Sequence, residues 1–234
     1  MASLKEILTD FEKFKNPEKA KILSGFFKTG KGQYGEGDIF LGIKVPEQRK
    51  LARKYSELSL EDIQKLLQSG IHEQRLTALL ILIIKYTKSD PSEKKKIFDF
   101  YLKNTKFINN WDLVDLSAPN IIGHFLLDKD KSVLLKLAKS SDLWEKRIAM
   151  LSTYYFIKNR QFKTTLLIAE ILLNDKHDLI HKAVGWMLRE IGNRSMETEE
   201  QFLMKYYKKM PRTALRYAIE KFPETKRKFY LAKD

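Results

Sequence analysis

Glycine is confined largely to one stretch of this chain, and that distribution constrains the fold more than any other feature of the sequence. Of the 10 glycines, five lie between Gly30 and Gly42 and only four follow them. Beyond Pro46 the segments are rich in Leu, Ile, Lys and Glu, and apolar residues recur every three or four positions, which is the period of an amphipathic helix. No stretch shows the alternation of a half-buried strand. The sequence therefore predicts an all-α protein.

Prolines mark where many of these helices begin. Pro17 follows Asn16 and Pro91 follows Asp90, an arrangement in which proline opens a helix. The segments between such marks predict helices near residues 3–14, 17–28, 46–55, 60–69, 73–88, 92–103, 108–117, 119–127, 132–139, 143–158, 162–173, 178–191, 197–209, 212–221 and 224–231.

Many short helices with short connections favour an α-solenoid of HEAT-like antiparallel helix pairs over a four-helix bundle, which needs fewer and longer helices. No fixed sequence period is visible, so this prediction depends on helix number and loop length. A solenoid forms one continuous domain, here residues 1–234, and its concave face suits an extended partner. We expect that concave face to be basic.

The chain carries 44 Lys and Arg against 30 Asp and Glu, a formal charge of +14 at pH 7. This surplus favours a polyanionic partner, because lysine and arginine release counterions when they neutralise phosphates. Nucleic acid is the leading candidate, ahead of an anionic membrane surface or an acidic protein. A generic protein from a lysine-rich proteome is the alternative.

The sequence also indicates a compartment. The apolar run Leu76–Ile84, broken only by one threonine, is about half the length that a bilayer span needs, so we expect no membrane segment. The first residues, Met1–Glu6, include an acid in place of an apolar signal core, and the chain contains no cysteine. We expect a cytoplasmic protein without disulfide or thiolate chemistry.

Two motifs look like a phosphate-binding loop and a zinc site, but the residues of each motif do not fit that role. The glycine-rich segment 29–38 lacks the spacing of a phosphate-binding loop and follows no recognisable strand, so a tight, ordered turn is favoured. His177 and His181 imitate a zinc motif, but Asp178 replaces the usual glutamate and no third ligand is evident. We expect His177 to begin a helix, and we expect no metal and no cofactor.

The predicted helix 178–191 places Ile180, Val184, Met187, Leu188 and Ile191 on one face, which should be core. Trp186 falls on the other side, four residues after Lys182 and three before Arg189. An exposed indole flanked by cations suits stacking and phosphate pairing with nucleic acid. Packing of Trp186 against a neighbouring helix is the alternative.

Trp111 and Asp115 are four residues apart and share a helical face, so an aromatic ring and a carboxylate line one surface. Such a carboxylate could stabilise a cationic transition state or hold a water. Ordinary helix-terminus and surface chemistry of Asp112 and Asp115 is the alternative. Arg147 lies among apolar residues and should have a carboxylate or phosphate partner, for which Asp115 is one candidate and another acid is the alternative.

Taken together, these segments resemble the bacterial DNA alkylation-repair glycosylases of the AlkD type, which are built from HEAT-like repeats. The resemblance covers most of the chain. It is carried by segments 16–20, 40–49, 111–115, 143–147 and 182–190, with the glycine loop and segment 210–220 typical of a subgroup. The resemblance implies hydrolytic release of N3- and N7-alkylated purines from duplex DNA, in base excision repair, without a cofactor.

The resemblance also assigns roles to residues. It implies Asp115 as the catalytic carboxylate, Trp111 and Trp186 as active-site tryptophans, and Arg147 as the pocket arginine. A family tyrosine matches Phe26, which lacks the hydroxyl, and the family often has tryptophan where Asn110 stands. Lys182 and Arg189 are further candidates for substrate contact, and candidate contacts to the DNA backbone are Lys44, Arg49, Lys50, Arg53, Arg212 and Arg216.

We therefore expect a monomeric, monofunctional glycosylase that acts on alkylated double-stranded DNA and is associated with the nucleoid when bound. Two alternatives stay open. Because Phe26 departs from the family pattern, the chain could be a catalytically silent DNA-binding solenoid that recognises bent or branched duplex by charge and shape. It could also be a protein-binding HEAT scaffold, which would show no affinity for DNA at low salt.

Overall fold

The computed structural model describes residues 3–232, so Met1 and Ala2 of the N-terminal segment lie outside the described residues. Its helices are α1 Leu4–Lys13, α2 Pro17–Phe26, α3 Val45–Lys54, α4 Leu60–Leu67, α5 His72–Lys88, α6 Pro91–Lys103, α7 Trp111–Ala118, α8 His124–Leu126, α9 Ser132–Ala138, α10 Leu143–Lys158, α11 Lys163–Ile171, α12 Asp178–Gly192, α13 Met196–Tyr206, α14 Arg212–Ala218 and α15 Glu224–Leu231. The all-α prediction is confirmed.

Capping side chains explain several helix starts. Asn16 and Asp90 each accept a hydrogen bond from a backbone N–H in the first turn of the helix that follows, and each precedes a proline at the first helical position. Ser3 and Glu6 form a reciprocal capping box at α1. Local sequence therefore fixes these boundaries before any tertiary contact is made.

The predicted break between the helices 108–117 and 119–127 is absent, so Pro119 does not begin a separate helix. Ala118 and His124 both keep right-handed helical angles, and the segment Pro119–Gly123 between them is a π-helical turn. Proline lacks the N–H that an α-helix needs at that position, and a widened turn lets the chain continue past it. The helix predicted near 108–117 also starts later, at Trp111, because Thr105–Phe107 forms a 3₁₀ turn and Ile108 is not helical.

The structure divides into two compact units, one up to Leu113 and one from Val114. In the first unit α5 packs against α3, α4 and α6, and its residues from His72 to Leu82 are all buried. In the second unit α10 packs against α9, α11 and α12, and α12 also packs against α13 and α14. The expectation of a single domain over residues 1–234 stays a prediction.

The glycine-rich segment folds into successive turns, as expected for a tight loop. Gly32 and Gly37 have φ angles of 76° and 86°, which other residues adopt rarely. At Gly42 a side chain is also excluded by space, because a Cβ would lie 2.1 Å from the carbonyl oxygen of Asn16. After the loop, Ile39 pairs with Ile71 in an isolated parallel bridge, which ties the loop to the start of α5.

Among residues 3–232, no helix combines the length and the apolar character needed to cross a membrane.

Candidate functional site

Arg147 and Asp115 form a two-point ion pair in the second unit. The arginine donates from Nε to Oδ1 and from Nη2 to Oδ2 of Asp115, with both distances 2.8 Å. The predicted partner of Arg147 is thus Asp115 and not another acid. Because the two hydrogen bonds are parallel, they fix the plane of the carboxylate as well as its position.

The surroundings of this pair explain its geometry. The Arg147 side chain is 6% exposed and that of Asp115 is 17% exposed. Arg147 also donates from Nη1 to the carbonyl oxygen of Leu179, at the start of α12. A guanidinium this deep needs all of these acceptors, since a buried charge without partners is costly. The remaining surface of Asp115 is accessible to solvent.

Trp186 lies on α12 opposite the predicted core face. Ile180, Val184, Met187, Leu188 and Ile191 are all buried, as predicted. Trp186 itself is half-buried, and its ring lies 6.2 Å from that of Tyr154 on α10. The indole therefore packs partly against a neighbouring helix while part of its surface stays accessible to a ligand.

Trp111 belongs to an aromatic cluster in the first unit. Its indole is stacked on Phe27, with ring centroids 5.2 Å apart and planes at 17°. Phe26 meets it edge-on at 6.0 Å and is 61% exposed. Phe27 is buried and holds one face of Trp111. The exposed ring of Phe26 stands beside Trp111, where the resemblance places a tyrosine.

A buried polar network lies next to this cluster and was not predicted from the sequence. His72 has Nδ1 3.0 Å from Oδ2 of Asp38 and Nε2 2.8 Å from Oδ2 of Asp112. Arg75 donates to the other oxygen of Asp38 at 2.6 Å. Since both ring nitrogens of His72 face carboxylates, both act as donors and the imidazole is positively charged.

The charge state of the network follows from its geometry. Burial lowers the pKa of His72, but its hydrogen bonds to Asp112 and Asp38 outweigh burial and raise that pKa above the ordinary value. Burial also raises the pKa of Asp38, but the bond from His72 and the nearby Arg75 bring it below its usual value. Both shifts favour the charged forms of His72 and Asp38 in the folded chain.

This network holds the start of α7. Asn110 donates from Nδ2 to Asp38, and its Oδ1 accepts a hydrogen bond from the backbone N–H of Trp111 at 2.9 Å. Asp112 accepts from His72 through one oxygen and from the Leu113 N–H through the other. The residues on both sides of Trp111 are therefore anchored to the buried network. Asn110 has this role at a position where the resemblance described above often places a tryptophan.

The candidate backbone contacts on α3 point into solvent. Lys44, Arg49, Lys50 and Arg53 are all exposed. None of Arg49, Lys50 and Arg53 forms an ion pair within residues 3–232. Exposed cations without acidic partners can pair with phosphates at little desolvation cost.

The cations near Trp186 have partners within the chain. Lys182 pairs with Asp178 at 2.7 Å, and Arg189 pairs with Glu220. Arg212 donates to the carbonyl oxygen of Leu231, whereas Arg216 is exposed. Binding of a phosphate by Lys182 or Arg189 would have to replace an existing ion pair.

The histidine pair of α12 has structural roles. His177 is the residue that caps α12, since its Nδ1 accepts from the N–H of Leu179. The ring Nε2 of His181 lies 2.6 Å from the carbonyl oxygen of Asp175. The expectation that His177 begins a helix is thus confirmed.

Comparison with known proteins decides the family. The family model described as DNA alkylation repair enzyme matches residues 7–222. The chain belongs to this family. A predicted DNA alkylation repair enzyme from Enterococcus faecalis has a similar fold, with a TM-score of 0.69, 17% identity, and 90% of this chain and 97% of that chain covered. None of the curated proteins compared with the chain matches it.

In this member of the alkylation repair family, sequence patterns predicted a partner for Arg147, with Asp115 as one candidate, but missed the network of Asp38, His72 and Arg75. One signal was present. His72-Glu73-Gln74-Arg75 directly precedes the most apolar run in the chain, and charged residues at the start of a buried helix need partners. The partners themselves lie more than thirty residues away in the sequence, so spacing could not reveal them.

Proposed function

We propose that this chain is a DNA glycosylase that hydrolyses the N-glycosidic bond of N3- and N7-alkylated purines in duplex DNA. Membership of the alkylation repair family supports a DNA substrate. The two-point pair of Arg147 and Asp115 carries the proposal for the reaction, because it holds a partly open carboxylate in a fixed orientation.

The proposed chemistry needs little from the enzyme beyond a positioned negative charge. Alkylation at N3 or N7 makes the purine cationic, so the base is already a good leaving group. The barrier then lies in the oxocarbenium character that develops at the deoxyribose. A carboxylate fixed before the reaction stabilises that charge without reorganising, and it can also orient the attacking water. We assign both tasks to Asp115.

Arg147 and the two tryptophans support this carboxylate. A carboxylate has about four acceptor positions, so the two bonds from Arg147 are compatible with a further bond from a water. Indole faces attract positive charge, and we assign that role to Trp186 and to Trp111, which precedes Asp115 by one turn of α7. Phe26 adds an aromatic edge beside Trp111 but no hydroxyl.

Binding of the duplex would depend on the exposed cations of α3 and on Arg216. The net charge of +14 adds a general attraction to the phosphate backbone. In this proposal Lys182, Arg189 and Arg212 are secondary contacts, because each already has a partner in the chain. We expect a monomer that needs neither metal nor cofactor and acts in the cytoplasm, on the nucleoid.

The test is release of 7-methylguanine or 3-methyladenine from methylated duplex DNA by the wild-type protein and by Asp115→Asn. We expect the variant to lose release while its DNA affinity stays within about twofold, since the amide keeps the shape but not the charge. Asp99→Asn is the matched control, because Asp99 is an exposed acid of α6 paired with Lys95. Full release by Asp115→Asn would remove Asp115 from the mechanism.

The same assay separates the competing function, a catalytically silent DNA-binding protein. This function is favoured by the presence of Phe26 beside Trp111, because phenylalanine lacks the hydroxyl of the tyrosine that the resemblance places there. It predicts salt-sensitive duplex binding with no base release from any alkylated substrate. In that case Phe26→Tyr tests whether the hydroxyl alone restores release.

A further inference from the structure

A cleft of about 170 Å³ in the first unit has no role in the proposed reaction. Its interior is formed by buried residues, among them Phe27, Phe40 and Ile43. Its rim carries Ile22, which is 69% exposed, and Val45, which is 42% exposed. The volume is below the roughly 300 Å³ at which pockets for drug-sized ligands begin, so the cleft suits one small ring system.

The rim is cationic on two sides. Lys19 from α2 and Lys44, which precedes α3, both line the cleft. The neighbouring Lys44 ammonium, followed by burial, lowers the pKa of Lys19. The charge of Glu47 on α3 offsets part of this effect. Because both lysines line one cleft, an anion placed between them is attracted by two positive charges.

The interior contains an unused acceptor. Gln48 is 2% exposed, lines the cleft, and donates from Nε2 to the carbonyl oxygen of Ile43 at 2.9 Å. Its Oε1 is buried and has no hydrogen-bond partner within residues 3–232. Buried side-chain oxygens are almost always paired in native proteins, so Gln48 Oε1 is an available acceptor for a ligand that enters the cleft.

The acids that line the cleft are already engaged. Glu73 accepts hydrogen bonds from the backbone N–H groups of Leu41, Gly42 and Ile43 at 2.8 to 3.2 Å. Asp112 accepts from the His72 imidazolium. Their charges are therefore compensated, and the cations at the rim set the preference of the cleft for an anionic ligand.

We infer that this cleft binds one unpaired nucleotide of a DNA strand. The phosphate lies between Lys19 and Lys44, the base enters between Ile22 and Val45, and an N–H group of the base donates to Gln48 Oε1. The inference depends on the DNA substrate in the proposed function but not on glycosylase chemistry. The cleft would hold a nucleotide that is displaced from the duplex. Phe27 lines the cleft and also stacks on Trp111, so the site adjoins the aromatic cluster.

The first experiment titrates the full chain with three probes and follows backbone amides by NMR. Deoxyadenosine monophosphate should shift residues of the cleft and bind about fivefold or more tighter than 2-deoxyribose 5-phosphate, which lacks the base. Inorganic phosphate should perturb only the region of Lys19 and Lys44. Equal affinity for the first two probes, or no shifts at the cleft, would overturn the inference.

Variants then test each contact. Lys19→Ala should weaken binding of all three probes, whereas Lys65→Ala, an equal loss of charge on the exposed side of α4 and away from the cleft, should change it less than twofold. Gln48→Leu should weaken only the probe that carries a base. Because that variant also loses the bond to Ile43, the exposed position Ile22 provides a second test: Ile22→Glu should weaken binding strongly and Ile22→Gln weakly. Equal effects of the two changes at Ile22 would count against the phosphate site.

A final arm distinguishes a DNA strand from a free nucleotide. A duplex with a single-base bulge should compete with deoxyadenosine monophosphate at the cleft more effectively than the fully paired duplex. Failure of the bulged duplex to compete would assign the site to free nucleotides and overturn the DNA occupant. Base release without nucleotide binding overturns this inference alone, while nucleotide binding without base release contradicts only the proposed glycosylase.

Discussion

The Arg147 guanidinium binds both oxygens of the Asp115 carboxylate, from α10 to α7, with two hydrogen bonds of 2.8 Å. Asp115 also lies one turn after Trp111 on the same helix. Arg147 on α10 therefore fixes the orientation of a carboxylate that α7 carries.

Replacing Arg147 by lysine should show whether the orientation of the Asp115 carboxylate matters separately from the positive charge beside it. Arg147→Lys keeps the positive charge but loses the parallel pair of bonds, so we expect base release to fall on the order of 100-fold with DNA affinity nearly unchanged. Single-turnover release rates measure this. Arg194→Lys is the matched control, since the half-buried Arg194, two residues after the end of α12, also pairs with an acid, Glu190. Unchanged release in Arg147→Lys would show that carboxylate orientation does not limit the reaction.

Arg147→Ala should also destabilise the fold, by about 3–5 kcal/mol, because it leaves Asp115 largely buried without its partner. Urea unfolding measures the loss. Combining Arg147→Ala with Asp115→Asn should recover part of it, because the neutral amide needs no counter-charge. A double variant less stable than the sum of the two singles would contradict this account.

The exposed cations of α3 should contribute more to DNA binding than the paired cations of α12. Arg49→Ala and Arg53→Ala should each weaken duplex binding and reduce the slope of log K against log salt by about 0.9. Arg189→Ala should change the slope less, because Arg189 must first leave Glu220. Binding isotherms at several salt concentrations measure both. Lys96→Ala, on α6, is the control with a similar loss of surface charge. A larger effect at Arg189 than at Arg49 would place the duplex elsewhere.

The buried His72 should make the stability of the fold depend on pH. Because the folded-state pKa of His72 is raised above 6.5, its stabilising effect is full below that pH and is lost as the pH rises through the folded-state value. We therefore expect the difference in unfolding free energy between wild type and His72→Gln to be largest in weak acid and to shrink in alkali. Urea unfolding across this range measures it. The facing charged groups are Asp38, Asp112 and Arg75. A difference that grows with pH would contradict a charged His72.

A second buried group should make stability fall with rising pH in the same sense as His72. Burial, aided by the charge of Glu200, raises the pKa of Glu199 to about 9. The folded state therefore keeps a proton that the unfolded state loses near pH 4.5, and stability falls as the pH rises between these values, by at most about 1.4 kcal/mol per unit. Glu199→Gln should abolish this fall and be more stable than wild type in alkali. Glu197→Gln is the control, as Glu197 is an exposed acid of the same helix α13. Parallel pH profiles for Glu199→Gln and wild type would exclude a protonated Glu199.

Residues close in sequence determined much of what was predicted. The apolar spacing of α12 identified its five core residues, and Asn16 and Asp90 marked helix starts, because these features involve neighbours within one or two helical turns. The helix break predicted before Pro119 was wrong for a related reason. A proline usually interrupts a helix, but a single π turn accommodates this one, and no residue pattern distinguishes the two outcomes.

The tertiary structure decided which groups meet. The sequence required an anionic partner for Arg147, since a guanidinium among apolar residues is costly to bury, but only the packing of α10 selected Asp115. In the same way, burial at the start of α5 demanded partners for His72 and Arg75, and the folded chain supplied Asp38 and Asp112. The cost of burying a charge is a local property that a sequence reveals. The identity of its partner depends on how segments distant in the sequence pack, and the sequence does not state it.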